Sequence, residues 1–166
     1  RYFYQNEVNQ QYALNLSGGN QQLSWYVGAG SDRNLSNLGA TYVRHTLRLA
    51  NRFRINSKLS LSLEAAYTTS EAISGKSAYG TVNPTNGRLP IYTSLADANG
   101  NALPLYAYYR QGYIDNIGAG QLLDWRYYPL TDNQYSQTTN GVKDLNATWG
   151  LDYQALSWLK LALKYR

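Results

Sequence analysis

The stretch Thr41-Tyr42-Val43-Arg44-His45-Thr46-Leu47-Arg48-Leu49-Ala50-Asn51-Arg52-Phe53-Arg54-Ile55 decides the fold. Val43, His45, Leu47, Leu49, Asn51, Phe53 and Ile55 share one parity, and Arg44, Thr46, Arg48, Ala50, Arg52 and Arg54 share the other. On a helix these four arginines would scatter around the circumference; on an extended strand they gather on one side, opposite a mostly apolar face. Asn56-Ser57-Lys58 reads as a short turn, after which Leu59, Leu61, Leu63, Ala65 and Tyr67 alternate with Ser60, Ser62, Glu64, Ala66 and Thr68.

The same period extends outward from this pair. Upstream, Tyr12, Leu14 and Leu16 alternate with Ala13, Asn15 and Ser17. Gly18-Gly19-Asn20 then predicts a tight hairpin with positive-φ positions. Leu23, Trp25, Val27 and Ala29 return on one face, and a polar loop is expected over Ser31 to Gly39. Downstream, Leu145, Ala147, Trp149, Leu151 and Tyr153 precede a turn at Ala155-Leu156-Ser157-Trp158, and Leu159, Leu161, Leu163 and Tyr165 follow it. The predicted strands are residues 11–30, 41–69 and 141–166, with one long connection over 70–140.

Composition narrows the class. The 166 residues carry 15 Lys and Arg against 10 Asp and Glu, a net charge of +5, and include 17 tyrosines. Charged residues make up only 15%, a poor match to charge-rich helical bundles. Mean hydropathy is −0.51 and no apolar run reaches the roughly 18 residues a spanning helix needs, which leaves strands as the only way through a bilayer. There is no cysteine, so no disulfide framework or cysteine metal site is expected. One histidine, His45, has no second histidine with which to build a metal site, and no metal or cofactor is expected.

Strand length separates a soluble sandwich from a membrane barrel. Roughly 9 to 14 residues exceeds the globular mode of about 5 to 6 and suits a tilted membrane strand of about 9 to 11. Short turns alternate with longer connections, as in outer-membrane barrels with short periplasmic turns and long extracellular loops. The expected fold is therefore all-β: an antiparallel transmembrane β-barrel segment of about six long strands with one very long extracellular loop. A lipid-facing arginine at mid-membrane costs about 2 to 4 kcal/mol. Arg44, Arg48, Arg52, Arg54, Glu64, Asp152, Lys160 and Lys164 all fall on the other parity and are expected to face the lumen. His45 and Asn51 lie on the outward parity; an interface position suits the first, and a bulge or shifted membrane boundary the second. Tyr12, Tyr42, Tyr67, Trp149, Tyr153, Trp158 and Tyr165 are candidate interfacial girdle residues, against the general taste of strands for tyrosine. Six strands are too few to close a barrel, and the chain starts at Arg1 without a signal region, so a fragment is expected.

Disorder is a poor reading of the long connection, which holds Tyr79, Tyr92, Tyr106, Tyr108, Tyr109, Tyr113, Trp125, Tyr127, Tyr128 and Tyr135. Asp97-Ala98-Asn99-Gly100-Asn101 reads as a turn, and Pro84, Pro90, Pro104 and Pro129 punctuate the extended pieces around it.

Taken in order, Ser17-Gly18-Gly19-Asn20, the Arg44 to Asn56 strand running into Leu59 to Tyr67, Leu122 to Leu130 and the hairpin from Leu151-Asp152-Tyr153-Gln154 to Leu159 carry a resemblance. The chain resembles the SusC/RagA-type TonB-dependent outer-membrane transporters of Gram-negative bacteria over nearly its whole length. That resemblance implies a location in the cell outer membrane, in contact with its lipid. It also implies import of oligosaccharides or peptides, beneath a SusD-type surface lipoprotein and driven through the TonB complex. The family's plug, TonB box and carboxypeptidase-like extension are not in this sequence, so residues 1–166 correspond to part of the barrel domain. On that footing Tyr108, Tyr109, Arg110, Asp124, Trp125, Arg126, Tyr127 and Tyr128 are the candidate ligand-binding residues, aromatics stacking on sugar rings and charged groups binding hydroxyls. The competing reading has them pack the loop against itself and the lipoprotein.

Other classes fare worse. Asp115 and Asp124 could be imagined as paired glycosidase carboxylates, but nothing in the sequence sets their separation, no triad is credible with one histidine, and no phosphate loop occurs. The basic charge and arginine stripe suggest nucleic acid, yet the stripe's apolar opposite face would need a covering layer that no other segment supplies. A soluble lipocalin-like β-barrel binder or an unrelated porin are the remaining alternatives.

Overall fold

The structure, a computed structural model, describes residues 2–82, 89, 92–106 and 108–166, without the side chains of residues 119 and 120. Pro84 and Pro90 lie outside the described residues. The described chain forms two compact units.

The larger unit is one six-stranded antiparallel sheet, ordered as the strands follow in sequence: β1 (Val8–Gly19), β2 (Leu23–Leu35), β3 (Thr41–Arg54), β4 (Leu59–Ile73), β5 (Thr139–Leu156) and β6 (Leu159–Tyr165). The sheet is open, with β1 and β6 at its edges. The β5–β6 register sets Trp149 opposite Tyr165, Leu151 opposite Leu163 and Tyr153 opposite Leu161. Between them Gly150 faces Lys164, Asp152 faces Ala162 and Gln154 faces Lys160, so apolar meets apolar on one face and polar meets polar or small on the other.

Several sequence expectations are corrected at the strand ends. β2 runs on through Ser31, Asp32, Arg33 and Asn34, so the loop expected over 31–39 is only Ser36 to Ala40. The partner lies across the sheet: Asp32 pairs with Arg44 on β3 at 2.6 Å, which gives this polar stretch a cross-strand contact that favours the extended chain. β1 begins at Val8 rather than at residue 11, and β5 continues to Leu156 past a bulge between Gln154 and Leu156, leaving only Ser157 and Trp158 as the turn. The long connection is correspondingly residues 74–138.

Gly18 and Gly19 are also used differently from the expectation. Among described glycines positive φ occurs at Gly39, Gly100 and Gly118 only. Gly18 and Gly19 instead complete β1, where a Cβ on Gly18 would meet the Trp25 ring at 2.8 Å and one on Gly19 would collide with the Leu23 carbonyl oxygen. The turn itself is built by Asn20, whose Oδ1 accepts from the backbone N–H of Gln22 and of Leu23, both at 2.8 Å. Asn56 repeats this arrangement, accepting from Lys58 at 2.8 Å and Leu59 at 2.9 Å.

The smaller unit comprises residues 1–7, 35–40 and 73–138. Its core is Phe3, Val82 and Leu105, with Leu89, Leu95, Tyr127 and Leu130 packed around them. Phe3 meets Tyr79 edge to face at 5.4 Å between ring centroids. Gln5 donates from its backbone N–H to the Asn37 carbonyl, and its side-chain Nε2 donates to the Ser36 carbonyl. The connection is therefore a folded unit, and the N-terminal segment is part of it. The expected turn at residues 97–101 is present: Ala96 bridges Ala102, and Gly100 takes φ +90°.

Candidate functional site

Two arrangements bear on function, one in each unit. In the connection, the residues singled out from sequence come from two segments that an antiparallel bridge between Leu105 and Tyr127 draws together. The Leu105 N–H donates to the Tyr127 carbonyl at 2.7 Å. After Leu105 the chain runs through Tyr108, Tyr109 and Arg110 into α1 (Gln111–Asn116). Tyr109 thereby reaches the Trp125 ring at 6.0 Å and, one helical turn along, the Tyr113 ring at 5.3 Å. All three rings are about half exposed, and Tyr108 more so.

Arg126 is the electrostatic centre of this cluster. Its guanidinium binds Asp115 of α1 at 2.6 Å and Asp124 at 3.5 Å, and its backbone N–H donates to Asp124 Oδ1 at 2.9 Å. The guanidinium pKa is raised, first by the hydrogen bond to Asp115 and then by the charge of Asp124. Asp115 and Asp124 thus bind a single cation between them. Tyr113 and Asp115 complete the cluster, although the sequence does not mark them as ligand-binding; their positions three and five residues beyond Arg110 become informative only once 111–116 is known to be helical. Tyr127 stands apart from the other candidates, because its ring packs against the core of the unit and burial raises the pKa of its phenol, with Asp132 adding to it. Arg110 and Tyr128 lie within the same two segments, Tyr128 half-buried and Arg110 exposed at the start of α1. What the cluster offers chemically is three half-exposed rings, Tyr109, Tyr113 and Trp125, tilted against one another by 34° and 39°, beside the paired charges of Asp115, Asp124 and Arg126.

The Asp97 turn of the same unit responds to pH in a defined direction. The Asn101 side chain, then the Asn101 and Asn99 backbone N–H groups, hold its carboxyl below the usual carboxylate range. A carboxyl lowered on folding stabilises fully above its unfolded value of about 3.9 and loses that contribution as pH falls through the lower folded value. Amide exchange at Asn99 and Asn101 is therefore expected to respond to this carboxyl only below about pH 4.

The second arrangement is the polar face of the sheet. Asn15 accepts from the Tyr26 hydroxyl at 2.7 Å, Arg44 binds Asp32, and Asp152 receives Arg52 at 3.5 Å and Lys160 at 3.3 Å. Arg166 donates to Asn146 at 2.9 Å, and Asn146 to Asp144. Arg48, Arg54, Glu64 and Lys164 sit on the same parity, so all eight charged strand residues singled out from sequence share one face. Tyr42 belongs to this face too, which removes it from the apolar-face girdle.

The opposite face is apolar and uncovered. Leu14, Leu16, Leu47, Leu49, Leu63, Leu145, Leu161 and Leu163 are all exposed, and Trp149 stacks obliquely on Tyr165 at 5.9 Å. The buried hydrophobic residues among those described, Phe3, Val82 and Leu105, all belong to the smaller unit. The outward-parity charges Arg33, Glu71 and Lys143 fall, with His45, toward the strand ends remote from the Asn20 and Asn56 turns. Asn51 lies close to the other end, three residues before Arg54, and is half-buried.

No group of residues suited to hold a metal ion occurs among the described residues, and no helix among them is long and apolar enough to cross a membrane. No known protein family, curated protein or solved structure matches this chain.

Proposed function

We propose that this chain is a section of the wall of an outer-membrane, TonB-dependent importer of the SusC/RagA type, carrying oligosaccharides or peptides. The observation that supports the reading best is a single-layer sheet with no core on either face, apolar on one side apart from Asn51 and the polar residues toward the strand ends, and charged on the other. A soluble protein would cover such a face, since contiguous exposed apolar patches beyond a few hundred Å² mark interaction sites. Lipid covers it without a second layer.

Dimensions agree with that reading. On β4 the charge-free outward run extends from Leu59 to Thr69, roughly 33 Å of strand at about 3.3 Å per residue. Tilted by about 40°, that run is roughly 25 Å tall, the height of the apolar band of outer-membrane barrels. Within the same reading the smaller unit is the extracellular element, and its aromatic cluster faces cargo or a SusD-type lipoprotein.

Alternating chemical access tests the wall directly. The sequence has no cysteine, so single-cysteine variants can be read without background from this segment. In the whole chain in outer-membrane vesicles, cysteines at Leu47 and Leu49 are expected to react with a lipid-partitioning maleimide. Those at Arg48 and Arg52 should react with a charged, water-soluble one. Uniform labelling of all four by the water-soluble reagent would sink the proposal. The loop assignment has its own test: Trp125→Ala in the whole transporter is expected to weaken cargo or lipoprotein binding about tenfold, the worth of one lost stacking contact of about 1.4 kcal/mol. Unchanged affinity for both would leave the cluster with a purely internal packing role.

A further inference from the structure

Resting on the wall reading, we infer that the polar face forms a track for polyanionic cargo, one carrying several carboxylate or phosphate groups. Three concavities on this face share lining residues and so border one another. The first, about 170 Å³ at the short-turn end, is lined by four cationic side chains, Arg52, Arg54, Lys58 and Lys160, and one carboxylate, Asp152. It shares Arg52 and Asp152 with a second of about 340 Å³, where Lys164 joins. The second shares Tyr26, Ala50 and Glu64 with a third of about 370 Å³, where Arg48 and Arg166 join.

Small residues open the track. Ala50 and Ala66 line it between the charged positions. Bulkier side chains there would fill the space between the guanidinium and ammonium groups.

Charge balance then identifies the occupant. Two carboxylates, Asp152 and Glu64, stand among seven cationic side chains in this lining; Asp152 engages Arg52 and Lys160 together, and no ion pair among the described residues engages Arg48, Arg54, Lys58 or Lys164. A wall whose acidic groups neutralised its basic ones would be indifferent to the sign of a solute. This one leaves cations unmatched in each of three adjoining concavities, the lining that anion- and phosphate-selective pores use. Neutral sugars gain nothing from such a lining, whereas each anionic group gains a charge-assisted contact.

The test uses the whole transporter chain in detergent and calorimetric titration with trigalacturonate, tripolyphosphate and maltotriose. At least one anion is expected to bind tenfold or more tighter than maltotriose, and to weaken by about tenfold in Arg54→Gln/Lys58→Gln and again in high salt. Whichever anion discriminates names the group recognised. Equal affinity for all three, or anion binding untouched by the double variant, overturns the inference. So does a double variant that lowers the melting temperature while leaving anion affinity intact, because the cations would then be holding an acidic surface of the protein. The cysteine-labelling pattern is read independently, so the wall reading can stand while the track falls.

Discussion

Leu49→Arg is expected to prevent stable assembly of the sheet in a membrane, at a cost of about 2 to 4 kcal/mol, while its neighbour Arg48→Leu is tolerated far better. Leu49 lies on the uncovered apolar face, five residues before the end of β3 at Arg54. That is roughly 16 Å along the strand and, at a tilt of about 40°, roughly 13 Å in height, the middle of a 25 Å band. An arginine there cannot reach either interface without distorting the strand. Arg48 points the other way, into the concavity with Glu64 and Asn146, where its loss removes one charge from a wet surface. Guanidinium unfolding of the whole chain in lipid vesicles measures both variants. Equal tolerance of the two would mean that the apolar face does not meet lipid.

Phe3→Ala is expected to open the smaller unit and leave the sheet intact. Phe3 is the aromatic anchor of a core whose other buried members are Val82 and Leu105, and a buried phenylalanine cut to alanine costs about 3 to 5 kcal/mol. The lower end applies here, since Phe3 retains 8% exposure and the core is small. The contact with Tyr79 goes as well. Limited proteolysis should then cut within residues 74–138, with the six strands still protected, and Phe3→Leu should restore most of the resistance. Cleavage no faster than in the parent would show that the N-terminal segment is incidental to the folding of the connection.

The two predictions probe features of very different legibility. Leu49 and Arg48 are readable from the chain alone, because a strand's period of two sorts side chains onto faces whatever the neighbours do. The same holds for the β5–β6 pairing, where Leu151, Tyr153, Leu161 and Leu163 meet as their parity requires. The Phe3 anchor is different. Residues 2–7 carry no period, and their packing against residues more than seventy positions away leaves no mark in local sequence.

The strand ends show where local reasoning stops short. Ser31 to Asn34 look like loop by composition and become strand because Asp32 finds Arg44 across the sheet. Gly18-Gly19 look like a positive-φ hairpin and instead end β1, Gly18 against the Trp25 ring and Gly19 against the Leu23 backbone, with Asn20 making the turn. In both cases a cross-strand partner outweighs the intrinsic preference of the residue.

For the candidate ligand cluster, sequence reasoning found both contributing segments without the link between them. Tyr109 and Trp125 are named by composition, but only the Leu105–Tyr127 bridge makes them neighbours, and only α1 brings Tyr113 and Asp115 beside them. Tyr127 was indistinguishable from Tyr128 in sequence. The fold separates them, turning the first toward the core.

By itself, then, the sequence determined the all-β class, the antiparallel meander, and which side chains lie on the apolar and charged faces, since these follow from local period and short turns. Tertiary structure alone decided where strands end, that the long connection has its own core with Phe3 inside it, and which residues form the aromatic cluster and line the concavities of the charged face. Those depend on contacts between residues far apart in the chain, whose energies no local pattern records.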